Sequence, residues 1–265
     1  MYPRERGGQA LIITSNFSMS LRSSTTLLND SIAFYKTHMQ AYSMIVLLAA
    51  FLTALASYGI EVYSAGETVP PDALALTTLL VFVVIATAAV VLCILAYVAL
   101  VLFTANPSQY PTATSVYREA KKYFFPYLWV AILTTLAVVA GFILLFVPGI
   151  IIGIWLMFSH FALLLEGKRG MEALKASKAL VKGRWWPVFC RLLVFGALYL
   201  VLVLAVSFIL GVIVPDTAIA GAIVDFVTTL VLAPIATIYF YFLYKDLHSS
   251  GPANAPVPAS VNAPV

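Results

Sequence analysis

Six apolar runs of this chain are nearly free of charge, and every Lys and Arg falls in alternate connections between them. All fifteen basic residues lie in four places. These are the N-terminal segment (Arg4, Arg6, Arg22, Lys36), the second connection (Arg118, Lys121, Lys122), the fourth (Lys168, Arg169, Lys175, Lys178, Lys182, Arg184, with Arg191 at the span boundary) and the C-terminal end (Lys245). The first, third and fifth connections hold none. Basic residues stay on the cytoplasmic side during insertion, so the pattern predicts a multi-pass membrane protein with both termini cytoplasmic.

A hydrophobic fraction of 62%, a charged fraction of 10% and a mean hydropathy of +1.00 exclude an ordinary soluble domain, in which about a quarter of residues are charged. A helix crossing the bilayer needs about 20 apolar residues. The expected spans are therefore about 44–60, 74–103, 124–147, 150–165, 192–214 and 219–244 in an all-α membrane domain covering 25–248. Residues 1–24 and the Pro/Ala-rich tail 249–265 are expected to be unstructured. The apolar patch Ala10–Ile13 is too short for a signal-peptide core, and Met19 is an alternative start.

The stretch Phe124–Leu165 contains no Lys, Arg, Asp or Glu. One straight helix of that length would reach about 63 Å, twice the roughly 30 Å of hydrocarbon. Pro148-Gly149 near its middle therefore predicts a hairpin, Pro removing a donor and Gly permitting the reversal. Pro234 predicts a kink in the last span.

The segment before each pair of spans has helical apolar spacing. In the first, Leu28, Ile32, Tyr35 and Met39 form a stripe; in the third, Met171, Leu174, Val181 and Trp185 oppose Glu172, Lys175, Lys178 and Lys182. The second, Thr114–Tyr123, is shorter. Aligning Lys121 with Lys182 also superposes Phe124-Phe125-Pro126 on Trp185-Trp186-Pro187, and Lys36 with Met39-Gln40-Ala41 is a degenerate first copy. The expected architecture is three hairpins, each preceded by a cytoplasmic amphipathic helix.

Lys175, Lys178, Lys182 and Arg184 are candidate contacts for lipid headgroups, anionic ones in particular. Ser159 and His160, in the cytoplasmic half of span four, are a candidate intramembrane polar site. Glu166 and Asp225 read as boundary residues. Cys93 and Cys190 lie on different spans, and the three histidines (His38, His160, His248) occupy separate segments, so no metal or cofactor site is expected. No phosphate loop or nucleophile elbow occurs. Gly149-x-x-x-Gly153 is a weak dimerisation signal, and nothing else supports a homo-oligomer. The dispersed basic residues point to membrane lipids and not to nucleic acid.

Residues 144–189, LLFVPGIIIGIWLMFSHFALLLEGKRGMEALKASKALVKGRWWPVF, resemble a signature of bacterial and archaeal membrane proteins. It is that of the membrane domain associated with glycerophosphoryl diester phosphodiesterases and its stand-alone six-helix relatives. Pro148-Gly149, Trp155, Glu166, Glu172-Ala173-Leu174, Ser177, Lys182 to Trp186 and Leu243 to Leu247 carry the likeness, with Asp30-Ser31 and Tyr35-Lys36 before span one. The resemblance implies a six-helix integral membrane protein. In fused relatives the hydrolase is a separate soluble barrel, so no catalytic role passes to any residue here. The leading expectation is a non-enzymatic protein of membrane organisation or lipid-associated assembly. A small transporter or channel using His160 is the alternative, and a membrane-embedded lipid enzyme ranks last.

Overall fold

Inside a bilayer each backbone N–H and C=O must find its partner within the protein, which leaves helices as the simplest solution for apolar runs. A computed structural model describes residues 22–64, 73–214 and 216–250, and among them every regular element is helical. Arg4, Arg6, the 1–21 segment, the acidic Glu67 and Asp72 with Pro70-Pro71, Pro215 and the tail from 251 lie outside the described residues.

The elements are α1 (Ser24–Thr37), α2 (Met39–Ser64), α3 (Ala73–Ala105), a 3-10 turn (Pro107–Gln109), α4 (Ala113–Leu144), α5 (Phe146–Leu156), α6 (Ser159–Glu166), α7 (Met171–Val181), α8 (Trp185–Ile213), α9 (Thr217–Val227), a π turn (Thr228–Leu232) and α10 (Ala233–Ser249). Six helical segments are long and apolar enough to cross a membrane: Met39–Val62, Leu80–Ala105, Ala113–Leu144, Phe146–Glu166, Trp185–Ile213 and Thr217–Ser249. They lie over the six expected runs.

Several local expectations change. The second segment, Thr114–Tyr123, is not a separate surface helix but the first part of α4, whose 32 residues extend about 48 Å. Pro126 consequently lies inside α4, whereas Pro187 is the third residue of α8, where a missing N–H costs little. The break between spans three and four falls at Leu145, extended at φ −165° and ψ 152°. Pro148 occupies the first turn of α5, and the Gly149 N–H donates to the Leu145 carbonyl at 3.2 Å. Neither Pro148 nor Gly149 makes the reversal.

Gly149 serves the packing of α4 on α5 instead. A Cβ built on Gly141 would lie 3.0 Å from the Gly149 Cα, and one on Gly149 would lie 2.5 Å from the Phe142 ring. Two small residues let these backbones approach. Gly153 faces open space, so the Gly149/Gly153 spacing reflects no shared contact.

Span four, expected as one helix, is interrupted between α5 and α6 at Met157–Phe158. Ser177 of α7 fills the break: its hydroxyl donates to the Trp155 carbonyl at 2.6 Å and accepts from the Phe158 N–H at 3.1 Å. Ser177 is 1% exposed. Helix α7 is thereby joined to the core, burying Ala173, Leu174, Ser177 and Val181, while Met171 is exposed. Helix α1 likewise buries Leu27, Ser31 and Tyr35, a face turned one residue from the expected stripe. In span six the expected Pro234 kink takes the form of the π turn just before it, with the Ala233 N–H reaching the Thr228 carbonyl.

The main buried cluster joins Leu27, Tyr42, Val101, Phe158, Val181, Ile238 and Leu247 from α1, α2, α3, the α5/α6 break, α7 and α10. It sits toward the end that carries the basic connections. Half of span four's apolar window is buried within the protein, against 6% for span five; span four is the centre and span five a peripheral helix.

Two stability measurements follow, each read as thermal unfolding in detergent. Ser177→Ala orphans a carbonyl and an amide and is expected to cost about 1–3 kcal/mol; wild-type stability would mean the break finds other partners. Gly141→Ala is expected to cost about 1–3 kcal/mol by forcing α4 and α5 apart, with Gly153→Ala indistinguishable from wild type; equal effects would refute the close crossing.

Candidate functional site

The basic end is held by arginines that reach across the chain. The Arg22 guanidinium donates to both Asp246 carboxylate oxygens and, at 2.8 Å, to Asp30. Its hydrogen bond to Asp246, ahead of the charge of both acids, raises its pKa above the ordinary value. Arg191 donates to the Arg22 carbonyl at 2.7 and 2.9 Å. Arg184 donates to the Leu247 carbonyl at 3.2 Å and Ser250 Oγ at 2.6 Å, satisfying the end of α10. Glu166 accepts from the Tyr244 hydroxyl, pairs with Lys168 and lies 3.5 Å from His248 Nδ1. It is thus a cross-link to α10 as well as a span boundary.

These contacts divide the four candidate headgroup residues. Arg184 is committed to α10. Lys175, Lys178 and Lys182 remain exposed on α7 and its end, with Lys178 Nζ 4.6 Å from the centroid of the Trp155 ring, a cation–π contact. Ser177 facing inward sets these lysines outward. Sequence reasoning missed the Ser177 and Arg22 contacts. A serine between Leu174 and Val181 on an apolar stripe was the available signal for the first; the second spans 224 residues and has no local trace.

Beside the lysine row, α5 and α8 leave a groove of about 550 Å³. Ile150, Ile151 and Trp155 form one wall, Trp185, Trp186 and Phe189 the other, and Lys182-Gly183 the mouth. Trp185 stacks on Phe189 with ring centroids 5.0 Å apart and an interplanar angle of 10°, which stiffens that wall. A second cavity of about 600 Å³ lies near the α1/α2 turn and the start of α4, where Thr37, His38, Gln40, Tyr110 and Thr112 contribute polar groups but no lining residue is Lys, Arg, Asp or Glu. No sequence signal marked it.

Ser159 and His160 are adjacent but face different partners. Ser159 is fully buried and its Oγ lies 3.1 Å from Thr134 Oγ1. The His160 ring centroid is 4.7 Å from that of Tyr127 and 6.3 Å from that of Tyr97. Its Nε2 is buried and meets no hydrogen-bond partner among the described residues, as is also true of Trp185 Nε1. Neither cavity above is lined by His160. Asp225, expected at a boundary, lies inside α9 and accepts a hydrogen bond from Ser57 of α2. Among the described residues no group of His, Cys, Asp or Glu is arranged to hold a metal.

An all-helical chain with six segments able to span a bilayer is a multi-pass membrane protein. Residues 112–247, which are 136 of its 265 residues, match the family described as a domain of unknown function (DUF7847), and the chain belongs to that family. No curated protein and no solved structure matches it.

His160→Phe keeps the ring packing and removes the unpartnered nitrogen, so the variant is expected to unfold at or above the wild-type temperature. Unfolding more than about 1 kcal/mol less stable would show that the nitrogen has a partner in the folded protein.

Proposed function

We propose that this chain is a non-enzymatic integral membrane protein of a prokaryotic plasma membrane. Its termini are cytoplasmic, and its basic end organises anionic lipid, or an assembly on such lipid, at the inner leaflet. The observation that supports this most is the row Lys175, Lys178 and Lys182. These lysines sit on a helix fixed to span four through Ser177, and none is in an ion pair with the carboxylates that Arg22, Lys122 and Lys168 engage. Lysines near an anionic leaflet gain roughly 1 kcal/mol each, and a rigid helix presents them together.

The likeness of residues 144–189 to the membrane domain associated with glycerophosphoryl diester phosphodiesterases supports a lipid setting, without any hydrolytic role. The transporter alternative draws on the interruptions at 157–158 and 228–232, because broken spans often line substrate sites. At the first interruption Ser177 occupies the freed backbone groups, which favours a structural role for it.

The orientation is tested in cells with Arg169→Cys in a protein whose Cys93 and Cys190 are replaced by Ser. An impermeant maleimide should label it only after permeabilisation; labelling of intact cells would overturn the topology. Purified protein should be stabilised by phosphatidylglycerol over phosphatidylcholine, and the triple Lys175→Gln, Lys178→Gln, Lys182→Gln variant should lose that difference. Undiminished stabilisation of the triple variant would remove the basis of the lipid reading.

A further inference from the structure

The groove between α5 and α8 lies beside the lysine row and has walls of one chemical kind. From Val147 to Trp155 along α5 it extends about 12 Å at 1.5 Å per residue. Its flank is open to the surroundings, since Val147 and Trp186 are 63% and 67% exposed. Lys182 stands at the mouth. Lys178, one helical turn earlier, lies over Trp155, itself a wall residue. No lining residue carries a carboxylate, and Arg184 is held on α10.

We propose that this groove binds one anionic phospholipid, with an acyl chain along Ile150, Ile151, Trp186 and Phe189 and the phosphate at Lys182, flanked by Lys178. The proposal rests on the lipid reading above and narrows it to one place. Charge complementarity selects this occupant. An apolar slot ending in lysines that form no ion pair among the described residues matches an amphiphile with an apolar chain and an anionic head. A second copy inserted in the same direction would bring its own basic end to this level, and lysine would meet lysine. Indole rings at the level of the mouth suit the interface, where an amphipathic ring is favoured.

The test uses the full-length protein, purified and mixed with vesicles either rich in phosphatidylglycerol or made only of phosphatidylcholine, followed by native mass spectrometry of retained lipid. Wild type should retain one phosphatidylglycerol with about fivefold preference over phosphatidylcholine, the effect of about one lysine near an anionic surface. Lys182→Gln, an exposed position that leaves the fold intact, should retain lipid but lose the preference. Ile151→Trp should fill the slot and lose retention of both lipids. An unchanged preference in Lys182→Gln overturns the site. If the triple lysine variant still loses its phosphatidylglycerol stabilisation, the broader lipid reading survives that result; if it does not, both fall.

Discussion

A carbonyl and an amide released in the middle of an apolar helix have no water to turn to, and here one serine hydroxyl partners both. Ser177 donates to Trp155 and accepts from Phe158, so the break between α5 and α6 is tolerated only while α7 lies against it. That single contact fixes the rotation of α7. Its small and apolar residues Ala173, Leu174 and Val181 turn inward with Ser177, and Lys175, Lys178 and Lys182 turn outward. The placement of Lys178 over Trp155 and of Lys182 at the groove mouth follows from the same rotation.

The uneven distribution of packing has a physical origin. Burying apolar side chains away from water is favourable, and the basic end, where the connecting helices meet the interface, is where α1 and α7 can gain from it. Within the hydrocarbon, lipid tails are as apolar as Leu, and helices associate through close packing and hydrogen bonds. The contacts there are of that kind: the Gly141/Gly149 approach and the bond from Ser57 to Asp225. Span five, with few such contacts, remains peripheral, and its aromatic start is free to form one wall of the groove.

The ionisable groups within the spans bear on transport as an alternative. His160 lies between tyrosine rings and lines neither cavity described. Asp225 joins α9 to α2, one residue pair away from the π turn that Pro234 brings about. Pro234 has no N–H for the Leu230 carbonyl and its ring crowds that carbonyl; the preceding turn widens, and the Ala233 N–H reaches the Thr228 carbonyl five residues back. The irregularity has a sufficient cause in the local backbone.

Much of the architecture was legible in one dimension. Six nearly uncharged runs dictated helices, because apolar content and helix rise are local properties, and alternating Lys and Arg placed the connections in two sets. The lysine stripe of α7 was visible from its spacing. What the chain alone could not convey was contact across distance. Pro148-Gly149 looked like the reversal, yet the break falls at Leu145, and Gly149 lies within α5 against Gly141 of α4. Thr114–Tyr123 had surface-helix spacing but continues into α4. Arg184 looked like its lysine neighbours until α10 supplied acceptors for it. Local sequence determined which segments are helical and where charge is tolerated; the tertiary structure decided which polar atoms meet and which face stays exposed, because contacts between separate helices, 19 residues apart at Ser177 and 224 at Arg22, leave no periodic trace.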